Sequence, residues 1–152
     1  MTIRLAEPTD ARAIAEILHS LEEHPNYRQI ALEVLLTRLQ EGLERLADRT
    51  VLVAVIKNQV LGFVMVHWLY PLITQSEGYI GDLFVHASST GQGLGSALLS
   101  AVIQEAKSRG CSRLVLSNWR NRISYQRSFY AKHGFQEKPN SARFSLNLEE
   151  RL

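Results

Sequence analysis

Y-I-G-D-L-F-V-H-A-S-S-T-G-Q-G-L-G-S-A-L-L-S-A-V-I-Q-E-A-K, from Tyr79 to Lys107, decides how the rest of this chain is read. Tyr79 to Val85 reads as an apolar strand. A short polar turn follows, then glycines at 91, 93 and 95, and then a helix with Leu94, Leu98, Leu99, Val102 and Ala106 on one face. Gly91, Gly93 and Gly95 let backbone N–H groups approach a ligand with no Cβ in the way. They stand where a helix begins, so unpaired donors and the positive end of the helix dipole point the same way. Such a corner suits a phosphate. The bland alternative is a glycine-rich connection that holds nothing.

Two familiar phosphate loops do not fit. A nucleoside-triphosphate loop ends in Gly-Lys-Ser/Thr, whereas Ser96 follows Gly95 directly. A dinucleotide fingerprint is G-x-G-x-x-G with an acidic residue about twenty positions on; here the pattern is G-x-G-x-G, and Leu114 to Ser117 holds no carboxylate. Thr90 to Gly95 resembles instead the pyrophosphate loop of the GNAT superfamily of acyl-CoA N-acyltransferases, Arg/Gln-x-x-Gly-x-Gly/Ala. Gly93 and Gly95 take the two small positions. Thr90 replaces the Arg or Gln of the first, and Gln92 is a substitute donor nearby.

Working outward, Thr2 to Ala6 reads as a first strand, with Thr9 as the cap of a helix bearing Ile14, Ile17, Leu18 and Leu21. Leu32, Leu35, Leu36, Leu39, Leu43 and Leu46 predict a second helix over about Gln29 to Ala47. Thr50 to Ile56, nearly all β-branched or apolar, predicts a strand covered on both faces. Lys57-Asn58-Gln59 turns it into a long return strand, Val60 to Leu69. Arg113 to Ser117 is the next strand. A last helix, about Arg122 to His133, closes at Gly134. Phe135 starts a strand, and Ala142, Phe144, Leu146 and Leu148 alternate with polar residues as a half-buried terminal strand. The order β-α-α-β-β-β-α-β-α-β implies an α/β fold, one domain over 1–152, with a mixed sheet and helices on both faces.

That order is also the GNAT order, and the resemblance covers essentially the whole chain. I-R-L-A-E-P-T-D-A-R-A-I resembles the family's amino terminus. F-Y-A-K-H-G-F, Phe129 to Phe135, resembles its Tyr-x-x-x-Gly-Phe signature. The resemblance implies a mostly antiparallel central sheet and transfer of an acetyl group from acetyl-CoA to an amine, in a small molecule or a protein. It implies that Gly91, Gln92, Gly93, Leu94, Gly95 and Ser96 grip the pyrophosphate, and that the main chain of Leu83 and Val85 pairs with pantetheine. Asn121 is a further pantetheine candidate or a helix cap. Tyr130 matches the family's general acid. Direct attack in a ternary complex is expected, with Cys111 remote in sequence. Family members are often dimers, so a homodimer is an expected partnership. A non-catalytic acyl-CoA sensor or interaction module is the rival reading.

The amine needs a base. A lysine-like amine is neutral about once in 2,500 molecules at pH 7, a cost of roughly 4.6 kcal/mol. Asp82 leads, in a G-D-L-F-V stretch that resembles Glu-Asp-Leu-Tyr-Val of diamine acetyltransferases, with Gly81 in place of the glutamate. Strict alternation puts Asp82 opposite Leu83 and Val85 unless a bulge resets the phase. Glu77, His67 and a water are alternates. Glu22, Glu23, His24 and Tyr27, with Trp68 and Tyr70, would suit a cationic acceptor.

Other classes are disfavoured. The net charge is +2 with basic and acidic residues interspersed, so no basic stripe awaits nucleic acid. One cysteine allows no internal disulfide. His19, His86 and His133 form no local metal motif. The amino terminus lacks a signal-peptide pattern and no run approaches a membrane span, so a cytoplasmic location is expected.

Overall fold

The computed structural model describes residues 1–149, so the last three residues of the expected domain lie outside the described residues. The chain divides into two units, Met1–Ser117 and a second that begins at Asn118. The first carries a five-stranded sheet in the order β1-β2-β3-β4-β5. Its strands are β1 (Thr2–Leu5), β2 (Arg49–Ile56), β3 (Gln59–Leu69), β4 (Glu77–Val85) and β5 (Arg113–Leu116). Every pairing is antiparallel except β4 with β5.

Side-chain alternation divides the sheet between two helical layers. Val51, Val53 and Phe63 join a core with Ile14, Ile17 and Leu18 of α1 (Ala11–Ser20) and with Leu35 and Leu43 of α3 (Leu32–Glu44). Gly62 faces the other way, where an added Cβ would come within 3.1 Å of the Leu98 side chain of α4 (Leu94–Ser108). On that layer Trp68 donates from its indole N–H to the Thr50 hydroxyl at 2.8 Å. The Arg109 guanidinium lies 4.5 Å above the same ring. The two-sided burial expected for Thr50 to Ile56 follows. Lys57 and Asn58, at φ 49° and 62°, form the two-residue turn of the β2–β3 hairpin.

The structure departs from the sequence expectations in four places. Thr9 caps nothing: Glu7 caps a single 3-10 turn, Pro8–Asp10, and the Asp10 carboxylate takes the Glu7 N–H at 2.8 Å. Both guanidinium nitrogens of Arg4 also reach Asp10, at 2.8 and 2.9 Å, and fasten β1 to the start of α1. The second helix is shorter than the expected Gln29 to Ala47, running from Leu32 to Glu44, and a separate short helix stands before it. Pro25 starts α2 (Pro25–Arg28), Ala31 is extended at ψ 137°, and α3 ends at Glu44, where Arg49 bonds the Gly42 and Arg45 carbonyls.

In the second unit the expected last helix breaks into α5 (Ile123–Gln126) and α6 (Phe129–Lys132), because Ser128 is left-handed at φ 59°. The Phe135 N–H reaches the Tyr130 carbonyl at 3.1 Å, so Gly134 does close the helix. No strand follows. Phe144, Leu146 and Leu148 are 92, 81 and 85% exposed, so the alternation at the terminus is real in sequence but finds no ladder among the described residues.

Candidate active site

The glycine loop has the geometry its composition implies. Gly91 and Gly93 are left-handed, at φ 77° and 82°, and a Cβ at either would touch nothing within 4 Å. They are there for backbone direction and not for packing. Gly93 is the N-cap of the fifteen-residue α4, and no side chain caps it. Its carbonyl accepts the Ala97 N–H at 3.0 Å, while the first-turn N–H groups of Leu94, Gly95 and Ser96 have no acceptor within the helix. Leu94 is buried and anchors the corner; Thr90, Gly91 and Gln92 are exposed. An anion meets fixed donors and the helix dipole here.

Beside this loop, β4 offers an open edge. β5 stops opposite Ile80, at the Ile80–Leu116 pair. The His86 N–H donates to the Leu61 carbonyl at 2.8 Å. That bond sets the alternation along the β3–β4 ladder: the Val64–Leu83 and Gly62–Val85 pairs are the non-hydrogen-bonded ones. Leu83 and Val85 therefore turn N–H and C=O away from β3, to the side where β5 has ended. An extended chain with amide groups can pair there as an added strand.

A β-bulge precedes that edge. The register runs Met65–Asp82, then Val66–Ile80, leaving Gly81 as the extra residue. The phase is reset: Asp82 shares a face with Met65, His67 and Tyr79 instead of with Ile80, and it still points opposite Leu83 and Val85. His67 lies against Tyr79, with ring centroids 6.4 Å apart. Glu77 forms an ion pair with Arg113, its partner on β5, so that carboxylate is engaged. Sequence reasoning allowed for the bulge without finding it; a glycine inside a strand pattern was the available signal.

The residues expected to receive an amine separate. His24 is buried and stacks on Tyr27, with centroids 5.2 Å apart, and both rings meet Phe84 edge-on. Glu22 and Glu23 are exposed beside them, and Tyr70 is exposed in the β3–β4 connection. Trp68 does not belong to this group, because it is buried on the α4 layer under Arg109.

In the second unit Tyr130 sits among Phe129 and Phe135, at 5.0 and 5.8 Å between centroids. Burial pushes its phenol up to about 12, while the Arg122 charge pulls the other way. Neither Arg122 nor the left-handed Ser128 was singled out from the sequence. A non-glycine left-handed residue leaves no compositional trace. Asn121 is exposed and caps no helix; Arg122 is the N-cap of α5. Among the described residues no helix is long and apolar enough to cross a membrane.

Comparison with known proteins gives a consistent result. The model of the Acetyltransferase (GNAT) family matches residues 12–135. Glucosamine 6-phosphate N-acetyltransferase 1 of Oryza sativa subsp. japonica is 29% identical over 141 residues, covering 90% of this chain and 81% of the relative. A transcriptional regulator from Bacillus halodurans superposes with a TM-score of 0.81 at 22% identity, over 97% of this chain and 99% of that one. A Trypanosoma brucei acetyltransferase gives a TM-score of 0.72 at 24% identity, over 95 and 99%.

Proposed function

Because this chain belongs to the GNAT acetyltransferase family, we propose that it is an N-acetyltransferase moving the acetyl group of acetyl-CoA to a primary amine by direct attack in a ternary complex. The observation that carries the reading is the uncapped start of α4, reached through left-handed Gly91 and Gly93 beside the open edge at Leu83 and Val85. Acetyl-CoA supplies the thioester. The backbone from Gly91 to Ser96 holds its diphosphate, Leu83 and Val85 pair with pantetheine, and Asn121 adds a polar contact.

Tyr130 gives the departing sulfur its proton. A phenol at about 12 lies about 3.5 units above an ordinary thiol, roughly 5 kcal/mol uphill as a separate step. Transfer is therefore coupled to C–S cleavage and does not precede it. Asp82 presents a negative charge to the incoming ammonium from the face it shares with His67 and Tyr79. The rice relative acts, by its name, on glucosamine 6-phosphate, which makes an amino-sugar phosphate the first acceptor to try among sugar, polyamine and peptide amines.

Thiol release from acetyl-CoA over that panel tests the proposal. Turnover with at least one amine is expected, and Tyr130→Phe should lower it about 100-fold with acetyl-CoA affinity unchanged. Thr90, in place of the family's Arg or Gln, favours a second reading, a non-catalytic acyl-CoA sensor, which would bind acetyl-CoA and acetylate nothing. We further propose a single 1–152 domain, a cytoplasmic location and a homodimer, the last supported by the exposed row Phe144, Leu146 and Leu148. Sedimentation at rising concentration checks the dimer.

A further inference from the structure

We infer that His67 is the catalytic residue that takes the amine's proton, and that the bare bulge residue Gly81 exposes its imidazole to the acceptor. This rests on the N-acetyltransferase reading above. Gly81 is exposed and occupies the bulge in β4, next to the point where β5 ends and the outward-facing backbone of Leu83 and Val85 begins. A Cβ at 81 would lie 3.2 Å from Nε2 and 3.3 Å from Cδ2 of His67. Any other residue at 81 would press on this imidazole edge and on the Met65 methyl, 3.1 Å from the same position. His67 is half-buried, yet among the described residues no hydrogen bond holds either ring nitrogen, and its ring lies against that of Tyr79.

The other bases on this face are less suited. Glu77 is committed to Arg113. Asp82 shares the face, but an aspartate is ordinarily a far weaker base than an imidazole near neutral pH. Asp82 attracts the ammonium, and His67 takes its proton. An ammonium sheds two protons to become an amide N–H. As the C–N bond forms and the C–S bond breaks, one of these is balanced by the proton that the sulfur gains in leaving as a thiol. The other passes to His67 and then to water.

The test compares His67→Ala, His67→Gln and the double variant His67→Ala/Gly81→Glu in thiol release, with acetyl-CoA binding measured on each. His67→Gln should lower kcat about 100-fold or more and leave acetyl-CoA affinity within about twofold. Turnover by His67→Ala should return with added imidazole, and in part in the double variant, whose glutamate side chain leaves position 81 toward the space the imidazole vacates. If His67→Ala loses acetyl-CoA binding, His67→Gln decides alone. Turnover by His67→Gln at the native rate overturns the assignment of His67 while leaving the acetyltransferase reading intact. A native chain that acetylates no amine overturns the reading beneath both.

Discussion

Gly93→Ala isolates what the glycine loop contributes. Position 93 is the N-cap of α4 at φ 82° and ψ 8°, and an alanine methyl there meets no atom within 4 Å. Sterics with the rest of the molecule therefore contribute nothing, and the whole cost is that of holding an L-residue left-handed, roughly 1–2 kcal/mol. Melting should fall by about 2–8 °C at 2–4 °C per kcal/mol for a chain of this size. If the loop relaxes instead, the N–H groups of Leu94 to Ser96 lose their aim, and acetyl-CoA affinity drops about tenfold for each 1.4 kcal/mol. Gly42 is the matched control. It lies inside α3, also with nothing within 4 Å of an added Cβ, but without a positive φ. Gly42→Ala should raise stability by up to about 1 kcal/mol and leave affinity alone. Calorimetric titration with acetyl-CoA and thermal melting read both variants. A Gly93→Ala chain that melts and binds like the native one refutes the reasoning.

Other consequences follow from the same structure. Arg4 holds the Asp10 carboxyl below its usual range, chiefly through their hydrogen bonds. The folded pKa is depressed, so this stabilisation is present above the unfolded value near 3.9 and lost as pH falls through the folded one. Asp10→Asn should cost roughly 2 kcal/mol at pH 7 and much less in acid, as chemical denaturation at the two pH values will show. In a spectrophotometric titration of the five tyrosines, one phenol should ionise near 12, and Tyr130→Phe should remove that late step. Trp68→Phe removes the bond to Thr50 and weakens the stacking of Arg109. About 2 kcal/mol of stability should go, with acetyl-CoA affinity unchanged, because Trp68 serves packing and not the acceptor.

Much of this was legible in the sequence because it rests on local chemistry. The apolar periods of Ile14 to Leu18 and Leu94 to Ala106 locate α1 and α4, and the glycines locate the N-cap. What was not legible depends on partners. Leu32 to Leu46 shows a helical stripe, but only the reach of Arg49 to the Gly42 and Arg45 carbonyls says where α3 stops. The row from Ala142 to Leu148 has the period of a strand, and a period does not supply a neighbour. Asp82 was assigned the right direction relative to Leu83, while its company with His67 and Tyr79 required knowing that Gly81 is bulged. Trp68 and Tyr70 both offer an aromatic face to a cation in the sequence, and burial separates them.

The central claim is that free N–H groups at the start of α4 hold the diphosphate of acetyl-CoA, and amide NMR reads those groups directly. Titration of the labelled chain with acetyl-CoA should shift the Gly91 to Ser96 amides saturably, together with Leu83 and Val85. Unmoved amides at Leu94, Gly95 and Ser96 at a concentration that saturates binding would contradict the account.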